Sequence, residues 1–275
     1  MEVRFAANPL DVKNYDTRRL REDFLIPSLF IPGTVKMVYS QVDRIIIGSA
    51  CPVKPVKLEA GEELRAEYFL ERREMGIINI GESGTVTVDG KAYELNTRDG
   101  LYIGKGSKEI IFSSSTPSNP AKFYFNSVPA HMTYPTQKIE IEKAEPENLG
   151  SLETSNKRTI YKYIHPAGVK SCQLVMGMTV LEPGSVWNTM PCHTHDRRME
   201  VYLYFNIPET AVVFHYMGEP TETRHIVVRN QEAVISPSWS IHSGCATQNY
   251  TFIWGMVGEN QVFSDMDPVD MKTLA

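Results

Sequence analysis

The chain has 275 residues, 42% apolar and 22% charged, a globular composition long enough for one large or two ordinary domains and unlike disordered or fibrous chains. Its 33 acidic and 28 basic side chains leave a formal charge of −5, without the concentrated basic face of a nucleic-acid binder. Four widely spaced cysteines with no CxxC pair exclude a disulfide scaffold and read as reduced, mostly buried thiols.

The first thirty residues carry scattered charges and no apolar signal core, and no run approaches the roughly 18 apolar residues of a membrane span. A soluble cytoplasmic protein is expected, with no nucleic-acid or membrane partner. A helix is predicted from Thr17, as N-cap, through Arg18, Leu20, Arg21 and Phe24. Thr85–Val88, Asp89-Gly90 and Lys91–Leu95 form the clearest hairpin signal, an Asp-Gly pair between two alternating runs. A short helix is predicted near Glu145–Leu149, inside a polar stretch from Thr136 to Lys157 that reads as a linker. A second hairpin is predicted from Ala211–Met217, a turn at Gly218-Glu219-Pro220, and Thr223–Val228. Many short strands at this spacing specify an all-β sandwich or barrel class with few short helices.

The halves resemble each other. Glu71-Arg72-Arg73-Glu74-Met75-Gly76-Ile77-Ile78 aligns with Asp196-Arg197-Arg198-Met199-Glu200-Val201-Tyr202-Leu203. Each segment leads into a hairpin and then a further strand, Leu101–Ile103 or Ala233–Ile235. Two similar β-domains are expected, residues 1–135 and 158–275, joined by a linker at 136–157.

The sharpest motif is Pro191-Cys192-His193-Thr194-His195-Asp196-Arg197-Arg198-Met199-Glu200. His193 and His195 are two apart, so on a strand their rings share a face. Glu200 lies five beyond His195, and a turn through Asp196-Arg197 lets it open the next strand and face back toward them. His242 follows Pro237-Ser238-Trp239-Ser240-Ile241 as a third imidazole. Three imidazoles and a carboxylate suit Zn²⁺, and equally Fe²⁺, Mn²⁺ or Ni²⁺. His131, His165, His215 and His225 lack such spacing and read as structural, with His215 and His225 able to pair across the second hairpin, outside the site. Cys192 and Cys245 are expected near the same cavity without acting as ligands.

HxH, a following Glu and P-x-x-x-x-H together resemble the two motifs of the cupin superfamily, in which these four positions bind the metal. Gly184, Ile207 and Trp239 depart from its usual glycine pattern, so the turns around the site must differ. In the first half the matching positions are Tyr68, Leu70 and Met75, with Glu109 and Ile110 near the counterpart of His242, so a metal-free first domain is expected.

A narrower resemblance covers nearly the whole chain. Tyr15-Asp16-Thr17-x-x-Leu20-Arg21-x-x-Phe24-Leu25, the block Met190–Tyr202, and Val262-Phe263-Ser264-Asp265-Met266-Asp267 are similar to the 4-deoxy-L-threo-5-hexosulose-uronate ketol-isomerase family. The resemblance implies a two-domain bicupin of jelly-roll domains, one Zn²⁺ per chain on His193, His195, Glu200 and His242, and a homo-hexamer. The implied reaction converts 5-dehydro-4-deoxy-D-glucuronate to 3-deoxy-D-glycero-2,5-hexodiulosonate in pectin and uronate degradation. Strand parity from Glu200 places Arg198, Tyr202 and Tyr204 on the ligand's face, and turns Arg197 to the other. Arg198 is the expected clamp for the substrate carboxylate. Tyr202 or Tyr204 is the expected proton relay, and Trp239 a wall beside His242. An Fe-dependent cupin dioxygenase and a non-enzymatic sugar-binding cupin are the competing functions.

Overall fold

The computed structural model describes residues 1–275, and strands dominate it, with two short α-helices at Pro9–Val12 and Thr17–Phe24. None of its helices is long and apolar enough to cross a membrane. The chain divides into two compact units. One comprises Met1–Arg4, Leu29–Glu145 and Lys162–Met176, and the other Phe5–Ser28, Pro146–Tyr161 and Gly177–Ala275. They are therefore not the contiguous segments 1–135 and 158–275. Residues 5–28 leave the first half because Leu25–Ile26 pairs with Val234 and Ala233 as an edge strand of the second unit.

In the first unit a seven-stranded sheet is ordered Glu2–Arg4, Val35–Ser40, Ile46–Ala50, Phe123–Pro129, Arg73–Asn79, Gly100–Ile103, Gln137–Ile139. A four-stranded sheet of Val56–Lys57, Ile110–Ser114, Gly84–Val88 and Lys91–Leu95 faces it across one apolar core. Phe112 from the smaller sheet stacks on Phe125 from the larger with ring centres 6.2 Å apart. The hairpin turn at Asp89-Gly90 has positive φ at both residues, 48° and 83°, the type I′ geometry whose twist matches its strands. Leu70 and Met75 lie in this core. The positions that align with His195 and Glu200 are thus filled by apolar side chains.

The second unit repeats the arrangement. Its larger sheet runs Pro146–Leu149, Arg158–Ile164, Val175–Leu181, Thr251–Gly258, Arg198–Phe205, Glu232–Ser236, Leu25–Ile26. Its smaller sheet runs Trp187–Asn188, Ser243–Ala246, Val213–Glu219, Glu222–Val228. The aligned arginines Arg73 and Arg198 both open central strands. Met75 pairs with Ile103, and Glu200 with Ser236, the last residues of corresponding strands.

Local chemistry corrects several expectations. The N-cap is Asp16, not Thr17, because its carboxylate accepts from Arg19 N at 2.8 Å. Pro146–Leu149 is a strand rather than a helix, zipped antiparallel to Arg158–Tyr161. The stretch 136–157 is consequently structured, holding strands at Gln137–Ile139 and Pro146–Leu149. The second hairpin turns at Pro220-Thr221, with Glu219 opposite Glu222, and Gly218 lies within its strand. That register sets His215 opposite Ile226 and Tyr216 opposite His225, so the two histidines do not pair.

Glu74 is fully buried in the first unit. Its carboxylate accepts from Tyr102 Oη at 2.7 Å and from the backbone N–H groups of Cys172, Gln173 and Leu174 at 2.7, 2.8 and 3.0 Å. Hydrogen bonds to a charged acceptor are the stronger kind, and removing the acceptor strands four donors. Glu74→Ala is expected to destabilise the protein by about 3 kcal/mol or more, read as a lower urea midpoint. An unchanged midpoint would show that water satisfies those donors equally well.

Candidate metal centre

Glu200 sits in the strand Arg198–Phe205, and its alternate residues Tyr202 and Tyr204 project to the same interior face. His193 lies in a two-residue strand that pairs with Asp267–Pro268, and His195 follows it. His242 stands in the connection between Glu232–Ser236 and Ser243–Ala246. The ligand atoms of these four residues all lie within 4.8 Å of one another. Three of the four are deeply buried, His195, Glu200 and His242 being 2%, 5% and 1% exposed.

The outer hydrogen bonds decide which ring atoms face inward. His195 Nδ1 is 2.8 Å from the Arg198 carbonyl, and His242 Nδ1 is 3.4 Å from the Ser240 carbonyl. A carbonyl only accepts, so each ring donates from Nδ1 and turns its Nε2 into the cluster, a donor to Glu200 while protonated and a lone pair for a cation once that proton leaves. There His242 Nε2 lies 3.1 Å from His193 Nε2 and 3.0 Å from Glu200 Oε2. His195 Nε2 lies 3.3 Å from the same carboxylate oxygen. Burial would raise the Glu200 carboxyl, but the charges and hydrogen bonds of His242 and His195 outweigh it and hold the group well below the usual carboxylate range. Burial, aided by His242, pushes His193 down to about 3. Burial also lowers His195, but the hydrogen bond and charge of Glu200 more than offset it and raise the ring above its ordinary value. A charged carboxylate and inward lone pairs make a donor set that fits a divalent cation.

Beside the cluster opens a cavity of about 380 Å³, within the usual range for small-molecule sites. His193, Glu200 and Tyr202 reach it, with Trp254, Phe263 and Met266 among its apolar walls. Trp254 lies against Gly177, where a Cβ would meet its ring at 2.2 Å, and its indole N–H donates to Thr179 Oγ1 at 3.1 Å. Cys192 lines the cavity and Cys245 does not. Trp239 is not part of the wall, since it packs edge-on against Phe24 at 6.4 Å.

The three side chains expected to act on substrate have different surroundings. Arg198 lines the cavity, but Nη1 donates to the Val262 carbonyl at 2.6 Å and Nη2 to the Phe263 and Asp265 carbonyls at 3.3 and 3.0 Å. Only Nε is without a partner, so the guanidinium cannot offer a carboxylate its two-pronged edge. Arg197, on the opposite face, binds Asp265 at 2.6 and 3.1 Å and Asp267 at 2.8 Å. The successive arginines thus fasten the C-terminal strap, residues 260–268, over the cavity. Tyr204 does not line it, because its hydroxyl bonds His215 Nδ1 at 2.8 Å deeper inside. His215 is fully buried there, pushed down to about 3 by burial and by His242. Tyr202 does reach the cavity, and burial raises its hydroxyl well above its ordinary value.

Asn188, Thr189 and Arg158 also line the cavity, and neither spacing nor motif pointed to them. Thr189 Oγ1 donates to Asn188 Oδ1 at 2.9 Å and lies 3.1 Å from Tyr202 Oη. Its one proton being committed, the Tyr202 hydroxyl donates to Thr189.

The family model for the KduI/IolB family matches residues 24–272. A 4-deoxy-L-threo-5-hexosulose-uronate ketol-isomerase from Lachnoclostridium phytofermentans is 68% identical over 275 residues, covering all of both chains. Proteins of the same name from Caldicellulosiruptor bescii and Escherichia coli O45:K1 are 64% and 57% identical, again over the whole of both chains. Among solved structures, an IolB-like protein from Salmonella typhimurium superposes with a TM-score of 0.64 at 12% identity, covering 79% of this chain and 84% of that one. A Bacillus subtilis oxalate decarboxylase superposes with a TM-score of 0.56 at 11% identity, covering 83% and 74%. These distant likenesses show a shared cupin fold. The chain belongs to the KduI/IolB family.

Proposed function

We propose that the chain is a zinc-dependent ketol-isomerase that converts 5-dehydro-4-deoxy-D-glucuronate to 3-deoxy-D-glycero-2,5-hexodiulosonate. The observation that carries this is the convergence of His193, His195, Glu200 and His242 beside a small cavity, in a chain that matches ketol-isomerases of this name end to end. An aldose–ketose shift is redox-neutral, which a redox-inert zinc ion suits among the metals an N₃O set accepts.

His193, His195, Glu200 and His242 would hold the ion, with the Arg198 and Ser240 carbonyls fixing two of the rings. When bound, the ion supplies Lewis acidity toward the oxygens of the aldehyde and neighbouring hydroxyl, where negative charge develops. Tyr202 keeps its proton at neutral pH and directs it to Thr189, so its oxygen accepts from a substrate hydroxyl. Trp254, Phe263 and Met266 exclude water from that oxygen's surroundings.

The reaction is checked by anaerobic incubation with the aldehydic uronate, followed by NMR. Loss of the aldehyde signal with appearance of the ketose is the expected result. Turnover only with oxygen would instead favour a dioxygenase. His193→Ala and His242→Ala are each expected to release most of the metal and to lower kcat/KM by about 10³-fold or more, measured by metal analysis beside the assay. Retention of both metal and activity would contradict the ligand assignment.

The strap gives a pH-dependent prediction. Hydrogen bonds from Arg197 and Asn260 hold Asp265 down to about 2. A lowered folded value stabilises above the ordinary carboxylate range and is lost as pH falls through about 2. Hydrogen exchange across residues 260–268 is therefore expected to stay slow at pH 4, whereas Asp265→Asn accelerates it about tenfold or more at neutral pH. Equal exchange in both proteins would show that the clasp does not order the strap.

A further inference from the structure

A six-carbon uronate bound by its aldehyde end at the histidines still needs a partner for its carboxylate. Arg158 and Arg198 are the two cations on the cavity wall. Arg198 has both terminal nitrogens committed to strap carbonyls. Arg158 gives one N–H, from Nη1, to the Asn156 carbonyl at 2.8 Å, and its other guanidinium donors have no protein acceptor. It is half-buried, so its charge faces a medium in which a paired anion is favoured over bulk water. A second donor is also without a partner. Asn188 is 3% exposed, lines the same cavity, and its Nδ2 has no hydrogen-bond partner. A buried, unpaired amide donor is costly, and a ligand oxygen relieves it.

The spacing also fits. The strand of Arg158 lies three places from the strand of Glu200, in the order Arg158–Ile164, Val175–Leu181, Thr251–Gly258, Arg198–Phe205. At about 4.8 Å per strand the separation along the sheet is about 14 Å. An extended six-carbon chain spans about 6 Å at ordinary bond lengths. The arginine stem on one side and the inward reach of the metal ligands on the other supply the rest.

Resting on the isomerase reading, we propose that Arg158 is the residue that receives the substrate's carboxylate, with Asn188 Nδ2 donating to a further oxygen of the same molecule. Arg158 would set the preference for a uronate over a neutral sugar, leaving the chemistry to the residues around Glu200.

The test compares the uronate with its C6 carboxamide on metal-loaded protein, using Arg158→Met, Arg158→Lys and Asn188→Ala. Arg158→Met is expected to raise KM for the uronate about 30- to 100-fold, with kcat within about threefold, and to leave the carboxamide within about threefold. Arg158→Lys is expected to recover part of the loss, since it keeps the charge without the fork. Asn188→Ala is expected to lower kcat/KM about tenfold for both compounds alike. Equal losses on both compounds for Arg158→Met, or none, would overturn the assignment, and an unaffected Asn188→Ala would remove Asn188 from it. Calorimetric binding of the same pair reads the same difference without turnover. A wild-type chain that binds the uronate through Arg158 but does not convert it would refute the reaction and not the subsite.

Discussion

Glu200 is a carboxylate placed inside a protein, and the geometry around it follows from what that charge requires. A buried carboxylate without partners would take up a proton, yet the rings of His195 and His242 lie within 3.3 and 3.0 Å and keep it ionised. Those rings are in turn fixed from behind by backbone carbonyls, so each Nε2 faces the carboxylate and offers a lone pair once its proton leaves. With those protons gone, a cation at the centre takes their place beside the carboxylate. The first unit shows the alternative solution to the same fold. Where the second unit has His195 and Glu200, it has Leu70 and Met75 in a continuous apolar core.

The chain's C-terminal strap depends on the same short segment. Arg197 and Arg198 point to opposite faces at the head of the strand that carries Glu200, one gripping Asp265 and Asp267 and the other three carbonyls. The strand His193–Thr194 adds direct pairing with Asp267–Pro268. The candidate metal ligands and the cavity cover are thereby coupled within one stretch of sequence, which gives a physical reason for the motifs at Met190–Tyr202 and Val262–Asp267 to occur together. Phe263 and Met266 belong to no strand of the larger sheets, and these ties, with the packing of Phe263 against Trp254 at 5.6 Å, hold them at the cavity.

Much of this was legible in the sequence wherever a local rule had a single outcome. The Asp89-Gly90 turn demands a type I′ hairpin, and the alternation from Glu200 placed Tyr202 inward without any structure. His193, His195, Glu200 and His242 were legible as a set because their residue types share one chemistry. What long-range contacts decide was not legible. Arg198 has the right parity for a substrate clamp, but carbonyls more than sixty residues away engage it. Trp239 occupies a motif position and is drawn off by Phe24, a residue of the N-terminal helix whose edge strand joins this unit. Arg158 and Asn188 carry no spacing signal, and only the sheet order brings them to the cavity.

X-ray absorption at the metal edge tests the centre most directly, because Cys192 lies on the cavity wall beside His193. The arrangement predicts a shell of nitrogen and oxygen alone at about 2.0 to 2.2 Å, with the outer scattering of imidazole rings. A sulfur scatterer at about 2.3 Å, or a purified chain that holds no stoichiometric metal, would contradict a site built from three histidines and Glu200.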